Sequence, residues 1–123
     1  MSDPALTIDT MNSRGMVAML SGDLLFASKV KSTAESAGWT FYMGGNLPAE
    51  NTQAIRFVIL DLSTRSGLTT KIAKQCVAAC PEARLIAYGP HVHVEKLKAA
   101  REAGIGTVLT NGQFDAGLVS LFA

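Results

Sequence analysis

The sequence has little charge of either sign and no long hydrophobic run. Lysine and arginine total 11 residues against 10 aspartates and glutamates, which gives a formal net charge of +1. This balance offers no electrostatic basis for binding nucleic acid or an anionic membrane. No apolar stretch approaches the roughly 18 residues that a membrane-spanning helix requires. The composition therefore excludes a membrane-spanning protein and argues against a nucleic-acid-binding one.

Cysteine is scarce, with Cys76 and Cys80 four residues apart in a segment that favours a helix. The first residues have neither the basic start nor the apolar run of a secretory signal. Two cysteines without an export signal indicate a reducing compartment and unpaired thiols. We therefore expect a soluble, cytoplasmic protein in which both cysteines serve as small buried hydrophobic residues.

Apolar residues are plentiful, at 48% of the chain, whereas charged residues make up 17%. The 123 residues fit one domain, large enough to bury a core without disulfides or metals. Residues 1–14 are polar and aperiodic, so we predict a flexible N-terminal tail there and one domain over 15–123. The low charge content favours a surface partly covered by a partner or by a second copy.

Five short apolar runs alternate with helical patterns along this domain. The runs occupy 16–20, 39–43, 56–60, 83–88 and 106–109, and their continuity is typical of strands buried on both faces of a parallel sheet. Helical patterns cover about 26–37, 68–79, 92–103 and 114–122, whereas 47–53 favours at most a short, weak helix. This order predicts an α/β fold with a doubly wound, five-stranded parallel sheet and helices on both faces.

In such a fold, ligands bind beyond the carboxyl ends of the strands. The candidate site therefore consists of the residues that follow four of the strands: Ser21, Gly22, Asp23, Asp61, Gly89, Pro90, His91, Thr110, Asn111 and Gly112. Glycine-rich nucleotide fingerprints and the serine-hydrolase elbow are both absent. His91 and His93 lack a third ligand, so we predict neither a metal nor a cofactor.

The chain resembles the receiver domain of bacterial two-component response regulators. The resemblance extends over 15–123 and is carried by the run from Phe57 to Leu62, by Gly67 after a short loop, and by Ala103-Gly104 before the fifth strand. It implies a flavodoxin-like, receiver-like fold with Asp61 at the phosphoacceptor position. In that family an acidic pair helps to hold Mg²⁺, and a hydroxyl residue and a lysine contact the phosphoryl group. An aromatic residue on strand five rotates inward with the hydroxyl.

The sequence departs from the family pattern at nearly every other site position. Ser21 and Gly22 stand where the family has its acidic pair, and Gly89 stands at the hydroxyl position. Asn111 replaces the lysine, and Gly112 replaces the proline that follows it. Val108 replaces the switching aromatic residue. Asp23 comes one place after the acidic pair and is interpreted as a cap of the first helix. Without the acidic pair and the lysine, Mg²⁺ and the phosphoryl charge lack most of their partners.

These departures predict a degenerate receiver, or pseudoreceiver, that acts as a protein-interaction module and not as an enzyme. Asp61 is then an inert carboxylate that accepts hydrogen bonds from loop N–H groups. In the receiver family, the face that corresponds to residues 92–122 often carries dimer or partner contacts. The resemblance therefore implies a protein partner, a homodimer or both at that face.

Two alternatives remain open. One is an atypical phosphoacceptor that uses Asp61. The other is a flavodoxin-like domain that binds a small ligand in the strand-end cleft, where Ser21, Thr110 and Asn111 would supply polar contacts. Flavin itself has no support, because no run of phosphate-binding hydroxyls follows strand one.

Overall fold

A computed structural model describes residues 13–123 of the chain. Residues 1–12 of the predicted tail lie outside the described residues. Within 13–123, five parallel strands form one sheet in the order β2-β1-β3-β4-β5. The strands are β1 (Met16–Leu20), β2 (Thr40–Gly44), β3 (Ile55–Asp61), β4 (Arg84–Gly89) and β5 (Thr107–Thr110). The predicted five-stranded parallel sheet is confirmed.

Four α-helices of the described chain cover the two faces of this sheet. They are α1 (Leu24–Ser36), α2 (Ile72–Ala79), α3 (Val94–Glu102) and α4 (Asn111–Phe122). Buried residues of α1 and α4 form one hydrophobic cluster with the sheet, and those of α2 and α3 form another. The fold is therefore doubly wound, as predicted, with one core on each side of the sheet. No helix in this part of the chain has the length and apolar character needed to cross a membrane.

The strand bounds agree with the predicted ones to within one residue, whereas two helix starts differ by three or four residues. The chain forms a short 3₁₀ turn at Ser66–Leu68, so α2 begins at Ile72 and not at 68. The last helix begins at Asn111 and not at 114, because Thr110 and Gln113 form a capping box. Asn111 and Gly112 therefore belong to the first helical turn and not to a loop.

The connection from β2 to β3 contains one 3₁₀ turn, Thr52–Ala54, in place of a helix. Asn51 precedes that turn with a φ of 59°, in the left-handed region that interrupts regular helix. The weak helix allowed by the sequence at 47–53 is thus reduced to a single turn at its end. Leu47 in this connection packs against the core cluster of α2 and α3.

The chain begins its described path against its own C-terminus. Arg14 Nη1 donates a hydrogen bond of 2.9 Å to the carbonyl oxygen of Phe122, and its guanidinium carbon lies 4.5 Å from the centre of the Trp39 ring. Ser13 donates to the carbonyl oxygen of Gly15. These last two residues of the predicted tail are therefore part of the folded domain.

Candidate functional site

The candidate site lies between β1 and β3, where the chain changes the direction in which it adds strands. From β1 the chain moves to β2 on one side, then returns to place β3 on the other side. In a doubly wound sheet this switch point opens a crevice at the carboxyl ends of the strands. Leu20 of β1 is in register with Leu60 of β3, so the next residues, Ser21 and Asp61, lie side by side.

The carboxylate of Asp61 is buried and accepts three hydrogen bonds. Asp61 as a whole is 3% exposed. Oδ2 accepts from Ser21 Oγ and from Thr64 Oγ1, both at 2.8 Å, and Oδ1 accepts from the backbone N–H of Ser63 at 2.9 Å. Each of these three donors is a neutral group.

The two hydroxyls also accept hydrogen bonds, which join the β1–α1 turn to the β3–α2 loop. Ser21 Oγ accepts from the backbone N–H of Asp23, and Thr64 Oγ1 accepts from that of Gly22, each at 2.9 Å. Both hydroxyls thus have a donor and an acceptor role already filled. The carboxylate, the two hydroxyls and the turn form one closed network.

Asp23 is turned away from this network and caps α1. Its Oδ1 accepts from the backbone N–H of Phe26 at 3.1 Å, which is the bond expected of an N-terminal cap. Its contact with Ser21 is made by the backbone N–H and not by the carboxylate. The predicted capping role of Asp23 is therefore the one the structure displays.

Tyr88 of β4 completes the buried surroundings of Asp61, with which it is paired in the sheet register. Its ring stacks on Phe114 with 4.6 Å between the centroids. Burial raises the pKa of the Tyr88 hydroxyl, and the nearby negative charge of Asp61 raises it further. The hydroxyl is buried without a well-formed hydrogen bond within the described part of the chain. It remains protonated and places a neutral group beside the carboxylate.

Gly89 ends β4 and is closely packed. A Cβ atom added to Gly89 would lie 3.3 Å from Cβ of Leu62, the buried residue that follows Asp61. That distance is tighter than ordinary van der Waals contact, so any side chain at this position would require Leu62 to move. Little free space is therefore available for a side chain at Gly89.

Asn111 and Gly112 are exposed in the first turn of α4, and no hydrogen bond described for 13–123 links them to Asp61. Val108 is half-buried on β5 and packs against the cluster of α2 and α3. The structure therefore joins four of the predicted site residues, Ser21, Gly22, Asp23 and Asp61, and leaves Asn111 and Gly112 apart from them.

Sequence reasoning missed Ser63, Thr64, Arg65 and Tyr88. A serine and a threonine directly after a strand-end carboxylate are typical of local side-chain-to-backbone turns, so that signal was available for Ser63 and Thr64. Tyr88 could have been found from the parallel register, since two neighbouring strands were predicted to end near 60 and 88. For Arg65 the sequence offered no comparable signal.

The possible metal ligands are dispersed in the described structure. His91 and His93 are exposed at the start of α3, and Cys76 and Cys80 are buried on the far side of the sheet from α1. Within residues 13–123, no group of three or more His, Cys, Asp or Glu side chains is placed to hold a metal ion. Metal chemistry therefore gains no donor set from these residues.

Solved structures similar to this chain include response regulators and receiver domains. A response regulator CheY-like protein from Mesorhizobium loti matches with a TM-score of 0.61 and 19% identity, over 90% of this chain and 100% of its own. The beryllofluoride-activated NtrC4 receiver domain dimer matches with a TM-score of 0.61 and 16% identity, over 87% of this chain and 95% of its own. Full-length FixJ from B. japonicum matches with a TM-score of 0.63 and 14% identity over 88% of this chain.

This chain spans 57% of the length of the FixJ chain. Comparison with protein-family models gives no match, and comparison with curated proteins gives none either. At identities of 14–19%, the structural likenesses establish the arrangement of the backbone. The chain therefore has the flavodoxin-like α/β fold of CheY-like receiver domains.

Proposed function

We propose that this chain is a signalling domain of receiver fold that works as a protein-interaction module, without ordinary Mg²⁺-dependent phosphotransfer. One observation carries the proposal: the Asp61 carboxylate is 3% exposed and accepts hydrogen bonds from two hydroxyls and one N–H group. A phosphoacceptor must instead offer a carboxylate oxygen to phosphorus as a nucleophile.

The cost of freeing that oxygen supports the proposal. To attack phosphorus, Oδ2 would have to give up the hydrogen bonds that it accepts from the hydroxyls of Ser21 and Thr64. Hydrogen bonds to a charged group contribute about 1.5–3 kcal/mol each, so losing both would raise the barrier substantially. The same hydroxyls hold the N–H groups of Asp23 and Gly22, which would lose their acceptors as well.

The residues around Asp61 do not fit Mg²⁺. This ion prefers six oxygen ligands in octahedral geometry, including one or two carboxylates. The position beside Asp61 holds the Ser21 hydroxyl, and the carboxylate of Asp23 is engaged as the cap of α1. One buried carboxylate that already accepts three hydrogen bonds is a poor ligand set.

The positions that would transmit phosphorylation also support the proposal. Gly89 has no hydroxyl to move and is packed against Leu62. Val108 has no aromatic ring to rotate, and Asn111 supplies no fixed cation. A phosphoryl group on Asp61 would therefore find no lysine at the family's position and no two-state element to bias.

We place the interaction surface on residues 92–122, as either a protein-partner site or a homodimer interface. Exposed apolar side chains are present along this segment at Val92, Val94 and Val119. Isolated exposed valines are ordinary, but one in the turn before α3, one on α3 and one on α4, in a chain with 17% charged residues, favour a surface that a protein covers. The similar NtrC4 receiver domain is a dimer.

A small-ligand site formed by Ser21, Thr110 and Asn111 has less support than the interaction module. Ser21 is buried against Asp61, and Thr110 is engaged in the capping box of α4. Two of the three side chains expected to contact such a ligand are thus already occupied. The atypical phosphoacceptor is the stronger rival, and it differs from our proposal in a measurable way.

Titration of the amide-resolved NMR spectrum with Mg²⁺ and beryllofluoride tests the proposal. Beryllofluoride imitates the phosphoryl group on a receiver aspartate, so a working site gives slow-exchange shifts around it. In the wild type we expect no such shifts at Ser21, Asp61 or Thr64. We expect none in Asp61→Asn either. Slow-exchange shifts in the wild type that disappear in Asp61→Asn would overturn the proposal in favour of the phosphoacceptor.

A further inference from the structure

We infer that a second cleft, next to Asp61 but distinct from it, binds the phosphate or carboxylate group of a small polar molecule through Arg65. The cleft has a volume of about 390 Å³ and lies between the loops that follow β2 and β3. Its lining residues are Gly45, Asn46, Thr64, Arg65, Gly67 and Leu68. The inference does not depend on the proposed function, because Asp61 takes no part in it.

Arg65 carries a charge that has no counter-ion in the described structure. The ion pairs found within residues 13–123 join Lys29 to Asp115, Arg56 to Glu82 and Lys98 to Glu102. The Nε atom of Arg65 is buried and has no hydrogen-bond partner among these residues. A buried donor without an acceptor is costly, so an anion in the cleft would offset an existing penalty.

The guanidinium group lies beside two glycine turns. A Cβ atom added to Gly45 would lie 3.4 Å from both Cζ and Nη2 of Arg65, and one added to Gly22 would lie 3.8 Å from Nη2. The group therefore lies close to backbone that carries no side chains. The backbone N–H of Arg65 donates to the carbonyl oxygen of Asp61 at 2.8 Å, which fixes the base of the side chain.

The chemistry of the lining selects an anion. A guanidinium group forms paired hydrogen bonds with phosphate or carboxylate oxygens, which fits the planar fork of its donors. Asn46 is exposed at the cleft and adds an amide, and no acidic residue lines it. Small-molecule sites range over about 300–1,000 Å³, so this cleft leaves room for a polar body attached to the anionic group.

Amide-resolved NMR titrations at constant ionic strength test this inference with four probes: inorganic phosphate, ribose 5-phosphate, succinate and uncharged ribose. We expect saturable shifts at Gly45, Arg65 and Gly67 with ribose 5-phosphate, and none with ribose. If inorganic phosphate binds and succinate does not, phosphate is the recognised group. If succinate binds and inorganic phosphate does not, carboxylate is the recognised group. Affinity should fall at least tenfold in Arg65→Gln and stay unchanged in Arg84→Gln, which removes an exposed charge from the start of β4.

Gly67 provides a matched pair that leaves Arg65 intact. A Cβ atom at Gly67 meets no other atom within 4 Å, so both Gly67→Glu and Gly67→Gln are tolerated sterically. The glutamate should abolish binding by competing for Arg65, and the glutamine should retain most of it. Equal binding in wild type and Arg65→Gln, or shifts spread over surface lysines, would overturn the inference. Asp61→Asn should still bind the anion, which separates this test from the beryllofluoride test.

Discussion

Ser21 and Asp61 lie side by side at the ends of β1 and β3, and the side chain at the first position determines what the second can do. A hydroxyl at 2.8 Å donates a hydrogen bond to the carboxylate and gives it a neutral partner. A second carboxylate at that distance would repel it, and the pair would require a proton or a metal ion. The exchange of an acid for a serine therefore converts a metal-dependent arrangement into a self-contained one.

Ser21→Asp should reverse that conversion. We expect the variant to be destabilised by about 2 kcal/mol or more at neutral pH in EDTA, because a donor is lost and a like charge is added. Addition of Mg²⁺ should restore much of the loss, whereas the wild type should not respond. Thermal unfolding with and without Mg²⁺ measures this, with Ser21→Asn as the control of equal size and no charge. Stabilisation of the wild type by Mg²⁺ would contradict our account of the site.

The sequence predicted the position of this pair and a hydrogen bond from a loop N–H group to Asp61, but not the hydroxyl donors. Ser21 and Asp61 were expected at one edge of the sheet because the carboxyl ends of parallel strands meet there. The contributions of Thr64 and Arg65 depend on the conformation of the loop after β3, which follows no periodic pattern. The cleft beside Arg65 depends further on two glycine turns from different loops, and their approach is set by tertiary packing.

At the scale of the elements, strands were predictable more accurately than helix starts. A buried parallel strand is a continuous apolar run, and its ends are marked by polar residues or glycine. A helix start is set by local hydrogen bonds, such as the exchange between Thr110 and Gln113 that brings Asn111 into α4. Helix ends were clearer, since Gly38 and Gly104 adopt φ values of +94° and +88° just after α1 and α3.

Helix α2 carries a prediction about pH, because Cys76 and Cys80 are buried on it or at its end. Burial, and then the neighbouring Cys80, raise the pKa of Cys76 from its ordinary value near 9 to about 12, and burial raises that of Cys80. The unfolded chain releases these protons above pH 9, whereas the folded chain retains them. The stabilisation is therefore complete below pH 9 and is lost as pH rises towards the folded values.

For Cys76 alone the loss at pH 10 amounts to about 1.4 kcal/mol. Urea unfolding at pH 8 and pH 10 measures it as the difference between wild type and Cys76→Ala. The variant should be less stable at pH 8 because it loses buried volume, yet it should lose less between the two pH values. An identical pH dependence in both proteins would show that the folded state does not hold the thiol protonated.

At the scale of the whole molecule, internal contacts join the start of the described chain and β2 to the end of α4. Arg14 ties the first described strand region to the end of α4, and Trp39 donates to the same carbonyl oxygen of Phe122 at 2.9 Å. Among residues 13–123, no comparable contact covers the outward side of α4, where Val119 is 74% exposed. The exposed apolar surface therefore lies on the outer side of α4 and does not result from incomplete packing of the core.

A matched pair of arginine variants tests where this molecule associates. Val119 lies on α4 within 92–122 and Val77 lies on α2 outside it, and they are 74% and 73% exposed. In a two-fold dimer, one substitution places two unpaired arginines in the same interface. Val119→Arg should therefore weaken self-association more than about tenfold, a change of 1.4 kcal/mol or more, whereas Val77→Arg should leave it unchanged. Sedimentation velocity over a range of concentrations distinguishes them. Loss of association in Val77→Arg alone would move the interface to α2, and a wild type that stays monomeric would exclude the homodimer and leave a different protein as the partner of this face.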